Sequence, residues 1–152
     1  MQSSGPSDPT YSISADKALL DIPMIHAYLS GSSYWARGRS LEIVTKSVEH
    51  SLCFGVFLSD RTQVGFARVV TDYATFAWLC DVFILEEHQG RGLGKRLVEV
   101  VVSHPDLIHI KRILLATKDA HQLYERYGGF LPLAHPERWM ERRPSEEAEL
   151  NR

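Results

Sequence analysis

Apolar and polar positions along this chain fall into runs of two periods, and each run predicts an element. Three strand-like runs follow closely on one another: LCFGVFL (52–58), QVGFARVV (63–70) and TFAWLCDVFIL (75–85). Their connectors, SDRT and TDYA, have hairpin length and turn chemistry, so the spacing predicts an antiparallel meander. Upstream, TYSIS (10–14) alternates and predicts a first strand. Asp21 is placed to cap a helix, Pro23 suits its first turn, and Ile22, Ile25, His26 and Leu29 then share a face. GSSYWARGRS (31–40) reads as a loop with an aromatic pair inside it. Ser40 caps a second helix over 41–50, with Leu41, Val44 and Val48 on one side. After the meander come a glycine-rich loop, an amphipathic helix over 93–103, an apolar strand RILLAT (112–117), a helix KDAHQLYERYG (118–128) and a last strand FLPLA (130–134). Strands first, then helix and strand in alternation, predict an α/β (α+β) fold around a mixed sheet.

Composition narrows the classes. The chain has 152 residues, 44% of them apolar, which predicts one domain with a real core. We place that domain at 10–141, between a flexible N-terminal extension (1–9) and a polar C-terminal tail (142–152). A formal net charge of −2 gives no electrostatic case for nucleic acid or an anionic membrane. The first ten residues lack the basic start and apolar core of a signal peptide, and no apolar run approaches a membrane span, so the expected location is cytoplasmic. Cys53 and Cys80 lie in apolar runs and read as buried reduced thiols. No His, Cys, Asp or Glu spacing suggests a metal.

The chemistry concentrates in EEHQGRGLGKRL (86–97). Glycines between a strand and a helix make an anion site. The first-turn N–H groups have no intrahelical partner, the helix dipole favours negative charge, and glycine lets a phosphate approach the backbone. The dinucleotide fingerprint fails because Lys95 stands where a small residue is needed. The P-loop fails because Arg96 replaces the magnesium-binding hydroxyl and Gln89 the first glycine. Gln89-Gly90-Arg91-Gly92-Leu93-Gly94 matches [Q/R]-x-x-G-x-[G/A], and the chain here resembles the GNAT superfamily of acetyl-CoA-dependent N-acetyltransferases. AHQLYERYGGF resembles the family's A-x-x-x-Y-E-[KR]-x-G-F, with one extra glycine at 128–129, and Ile84-Leu85-Glu86-Glu87 lacks the proline that the family often has before its loop. The resemblance covers 52–134 well and 10–50 loosely.

The resemblance implies a GNAT-like fold, with a mixed, mostly antiparallel sheet flanked by helices on both faces. It implies acetyl-CoA as cosubstrate and no metal. The pyrophosphate would lie on the backbone of Gln89, Gly90, Arg91, Gly92, Leu93, Gly94 and Lys95, and the pantetheine arm beside Val82, Phe83 and Ile84 where the family's fourth strand splays from the fifth. Arg91, Lys95 and Arg96 would add charge or remain solvated surface cations. Tyr124 matches the tyrosine that serves relatives as general acid, ahead of Tyr127. For the base, Asp81 is best placed, since a carboxylate in the apolar run WLCDVF is costly unless paired or useful. The alternative for Asp81 is a structural carboxylate held by backbone or by an arginine such as Arg68. Glu86, Glu87, His88 and His26 are weaker candidates for the base. Tyr34 and Trp35, with Arg37 and Arg39 in the same loop, would wall an acceptor pocket, although Trp35, like Trp78, would equally serve by packing on the sheet. The function implied is transfer of an acetyl group to a primary amine of a small molecule or peptide, with no nucleic-acid or membrane partner. The alternative is a catalytically silent acyl-CoA-binding module. Homodimers recur among relatives, and a homodimer is allowed here.

Overall fold

A computed structural model describes residues 10–144. The N-terminal extension 1–9 and positions 145–152 of the polar tail lie outside the described residues. Five strands form one sheet in the order β1-β2-β3-β4-β5. They are β1 (Tyr11–Ser14), β2 (Leu52–Leu58), β3 (Gln63–Thr71), β4 (Ala77–Ile84) and β5 (Ile113–Leu114). The first four pair antiparallel, and β5 joins β4 in parallel. Four helices complete the fold: α1 (Ile22–Gly31), α2 (Leu41–Glu49), α3 (Leu93–Ser103) and α4 (His121–Gly128).

Each helix begins where its sequence allows. The Asp21 carboxylate accepts from the Met24 N–H with Pro23 in the first turn, and the Ser40 hydroxyl accepts from the Ile43 N–H. Both caps satisfy a donor that the helix cannot. Gln63, buried at the start of β3, accepts from the Asp21 N–H and donates to the Gly65 carbonyl, which pins α1 to the sheet.

Two apolar layers flank the sheet. Leu52, Phe54 and Val56 of β2 point to one side and pack with Leu93, Leu97, Val98 and Val101 of α3 and with Tyr124 of α4. Cys53, Phe66 and Phe83 point to the other and pack with Ile25 and Leu29 of α1 and Val44 and Val48 of α2. This is the expected mixed sheet with helices on both faces. Leu41, expected on the inner side of α2, is half exposed, because the first helical residue overhangs the layer.

Two further expectations are corrected. β5 covers only Ile113–Leu114 of the expected 112–117, because β4 turns away beyond the Trp78–Leu114 pair. Residues 130–134 form no strand. Pro132 removes a ladder donor there, and a groove of about 730 Å³ lies between this segment and β5. Among the described residues, no helix is long and apolar enough to cross a membrane.

Candidate functional site

The site grows out of an irregularity in β4. Phe66 pairs with Phe83 and Arg68 with Cys80, so Ala67 alone faces both Asp81 and Val82. Asp81 takes φ of 51° to accommodate the extra residue. Asp is among the few L-residues that tolerate this left-handed region, at roughly 1–2 kcal/mol. The bulge reverses the alternation of the strand. Ala77 and Leu79 face the α3 layer before it; after it Val82 and Ile84 do so, and Phe83 faces α1. The Phe83 ring stacks on Tyr28 with centroids 3.9 Å apart. Only the backbone of Phe83 is therefore placed to meet a ligand in the gap, and the same holds for Leu93, whose side chain is core.

The bulge aims the Asp81 carboxylate into a polar knot. Oδ2 accepts from Arg39 Nη1 and from Arg68 Nε, both at 2.8 Å, and Oδ1 accepts from the Trp35 indole N–H at 2.8 Å. Arg68 also donates to the Ser51 hydroxyl at 3.1 Å. Burial alone would raise the Asp81 carboxyl; the charge and hydrogen bond of Arg68, the charge of Arg39 and the indole outweigh it and hold it below the ordinary carboxylate range. This matches the structural alternative weighed for Asp81 and adds a role for Trp35 beyond packing. Next to it, burial is the largest influence on the Cys80 thiol, which is pushed up to about 12. Among the described residues, no group of three or more His, Cys, Asp or Glu is arranged to hold a metal ion.

Beyond the Trp78–Leu114 pair, and so ahead of the bulge, β4 and β5 diverge, and a cleft of about 310 Å³ opens. Its walls include Tyr34, Trp35, Arg39, Arg68, Trp78, Asp81, Val82, Asp119 and Tyr124. The loop 32–40 reaches over it because it is tied at both ends. Ser33 donates to the Leu29 carbonyl, Gly38 N–H donates to the Ser30 carbonyl, and the Tyr34 hydroxyl accepts from the Lys118 N–H at 3.0 Å. Tyr34 and Trp35 meet edge to face, with centroids 5.1 Å apart.

The glycine loop opens at the end of β4. The Gln89 side chain donates to the Ile84 carbonyl at 2.9 Å and ties the loop to the strand. Gly90 and Gly92 have φ of 78° and 77°, a conformation that an L side chain resists. A Cβ at either position would meet nothing within 4 Å, so it is the backbone turn that requires glycine there. Gly92 is the N-cap of α3 and makes no side-chain cap bond. Backbone amides at an uncapped helix start fit a pyrophosphate in charge, but the expected contribution of Gln89 is corrected, because its N–H is given to the Glu86 carbonyl. Lys95 sits over the Tyr127 ring at 5.0 Å.

Tyr124 is buried on α4, borders both the cleft and the groove beyond β5, and stands edge to face with Phe130. Burial, with a lesser contribution from Tyr34, pushes its phenol up to about 12. The doubled glycine ends α4 cleanly. A Cβ on Gly128 would come within 2.9 Å of Val98 and within 2.8 Å of the Phe130 ring, and Gly129, at φ 71°, is the left-handed C-cap.

Other candidates sit elsewhere. His88 is hydrogen bonded to the Tyr11 hydroxyl at 2.7 Å, Glu86 and Glu87 are exposed in the turn before the loop, and His26, half-buried on α1, does not line the cleft. Sequence reading missed Asp119 at the cleft and the pairing of Arg39 with Asp81. The signal for the pairing was present, since a lone acid in an apolar strand demands a cation.

The Acetyltransferase (GNAT) family model matches residues 22–130. A Gibberella zeae protein, whose assignment as an acetyltransferase is itself inferred, is 31% identical over 133 residues, 75% of each chain. A crystal structure from Xanthomonas campestris pv. campestris, assigned by inference to the same family, superposes with a TM-score of 0.85 at 51% identity, covering 90% of this chain and 94% of that one. The fold is also shared with a spermidine N-acetyltransferase from Vibrio cholerae, solved with CoA and spermine, at TM-score 0.62 and 18% identity, over 78% of this chain and 79% of that one.

Proposed function

The chain belongs to the GNAT acetyltransferase family, and from that premise we propose that it moves an acetyl group from acetyl-CoA to a primary amine of a small molecule or peptide. The amine attacks directly, with both reactants bound. The observation that carries this reading is that Tyr124 and the separating strands β4 and β5 line one cleft, while the glycine cradle follows directly on the end of β4.

When bound, acetyl-CoA supplies an activated acyl carbonyl. The N–H groups of residues 90–95 would hold the pyrophosphate, with Gly90 and Gly92 bending the backbone around it. The backbone of Val82, Phe83 and Ile84 would line the pantetheine arm, and a strand N–H would take up the charge that develops on the acyl oxygen. Tyr34, Trp35 and the ends of β4 and β5 orient the acceptor, converting a bimolecular encounter into a positioned one. In the balance of the reaction a C–N bond forms and a C–S bond breaks. An acceptor arriving as ammonium gives up two protons, one to solvent and one that ends on sulfur.

Tyr124 assists departure of the thiolate. Because its phenol keeps its proton up to about 12, it is a hydrogen-bond donor at any working pH. Full transfer to a thiolate whose conjugate acid ionises near roughly 8.5 runs uphill. Asp81 has both oxygens engaged and a depressed carboxyl. These features favour a positioning role over that of base, and they leave water to carry the ammonium proton out.

Release of CoA thiol from acetyl-CoA in the presence of amines tests the reading. Tyr124→Phe is expected to lower kcat by about 10²-fold or more, the scale of a positioned acid, while KM for acetyl-CoA stays put. An unchanged kcat would remove Tyr124 from the mechanism. No turnover of any amine by a protein that binds acetyl-CoA would favour the catalytically silent module.

A further inference from the structure

Building on the acetyl-transfer reading, we propose that the acceptor amine carries an anionic group, a carboxylate or a phosphate, which the Arg39–Arg68 pair in the cleft wall receives.

Around Asp81 the charge count is unequal, although Asp119 brings the charged side chains of the whole lining to two of each sign. Two guanidinium groups meet a single carboxylate, and they share one of its oxygens. The other oxygen is taken by Trp35. The acid is hidden while the cations are not: side-chain exposure is 1% for Asp81, 14% for Arg68 and 22% for Arg39. A ligand group beside Asp81 therefore meets a local surplus of positive charge in a partly desolvated wall, where an ion is costly without a partner. Among the described residues, Arg39 commits only Nη1 to its hydrogen bond with Asp81. The rest of its planar fork is the shape that grips a carboxylate or phosphate.

Asp119, exposed in the segment before α4, is the second acid lining the cleft and complements the acceptor's ammonium while the arginines take its anion. Tyr34, Trp35 and Trp78 supply flat apolar walls. A polyamine, with several positive charges and no negative one, would face the arginine surplus with Asp119 as its one available acid.

The test has two arms. First, thermal unfolding of the CoA-saturated protein is followed with phenylalanine, 3-phenylpropionate, 3-aminopropylphosphonate, phenethylamine and spermidine. Second, kcat and KM are measured for the amines among them. The expected results are stabilisation by the anion-bearing compounds and a kcat/KM at least about tenfold higher for phenylalanine or the aminophosphonate than for phenethylamine, the scale of one charge-assisted contact. Which anion gives the larger effect separates carboxylate from phosphate. Arg39→Gln should raise KM for the preferred anionic amine at least fivefold more than KM for phenethylamine, by our estimate, and Arg39→Lys should restore part of the difference. A preference for phenethylamine or spermidine, equal use of all the amines, or no stabilisation by any anion would overturn the proposal. If acetyl-CoA itself fails to stabilise the protein, the acetyl-transfer reading has failed instead.

Discussion

Asp81 combines a left-handed backbone, full burial and three charged or polar donors. Removing its charge leaves two arginines facing each other, so Asp81→Asn should cost about 3–5 kcal/mol of stability in urea unfolding, the usual cost of breaking a buried pair from one side. Its carboxyl is depressed in the fold. Its contribution is therefore present above the unfolded value of about 3.9 and is lost as pH falls through the lower folded value. Asp81→Asn should flatten that acid limb. On the alkaline side the signs reverse. Burial raises Cys53 from 9.0 to about 11 and Cys80 from 9.0 to about 12, and raises Tyr124 from 10.0 to about 12. Stability should hold up to the unfolded thiol values and fall as pH rises towards the folded ones, and Cys53→Ala with Cys80→Ala should blunt the onset of that fall. That Asp81 mattered was legible in the sequence from an acid amid apolar neighbours. Its partners were legible only in part, because Arg39 lies 42 residues away and nothing local links the two.

At the scale of elements, the meander, α3 and the glycine loop could be read directly. Turn chemistry and period change together there, and β2 and α3 occupy the expected residues. The bulge in β4 could not be read, since an apolar run buried on both faces shows no alternation for an inserted residue to interrupt. The last strand failed for the opposite reason. FLPLA is apolar enough, but Pro132 and the Gly129 cap steer it away from β5. The extra glycine of the α4 motif now has a physical account, and it can be tested by calorimetry. Gly128→Ala should destabilise by about 1–3 kcal/mol through overpacking against Val98 and Phe130, and Gly129→Ala by about 1–2 kcal/mol through backbone strain alone.

The described residues form a sheet with an apolar layer on each face, and the proposed function uses the cleft where β4 and β5 come apart. Leu97 belongs to one layer and Leu29 to the other, both fully buried. Because they share the same strands, Leu97→Ala and Leu29→Ala should each cost about 2–5 kcal/mol and each lower a single unfolding transition. A two-step melt in either variant would show that the layers are separable. The central claim is that the cradle at the mouth of the splayed strands binds acetyl-CoA. Its most direct test is thermal unfolding with and without acetyl-CoA, beside ATP and NAD, for the wild type and Gly92→Glu. Saturation at about 100 times Kd should add roughly 2.7 kcal/mol, a rise of several degrees with acetyl-CoA alone, and Gly92→Glu, still folded, should lose it. No shift of the wild type at saturating acetyl-CoA, or the same shift in the variant, would contradict the account.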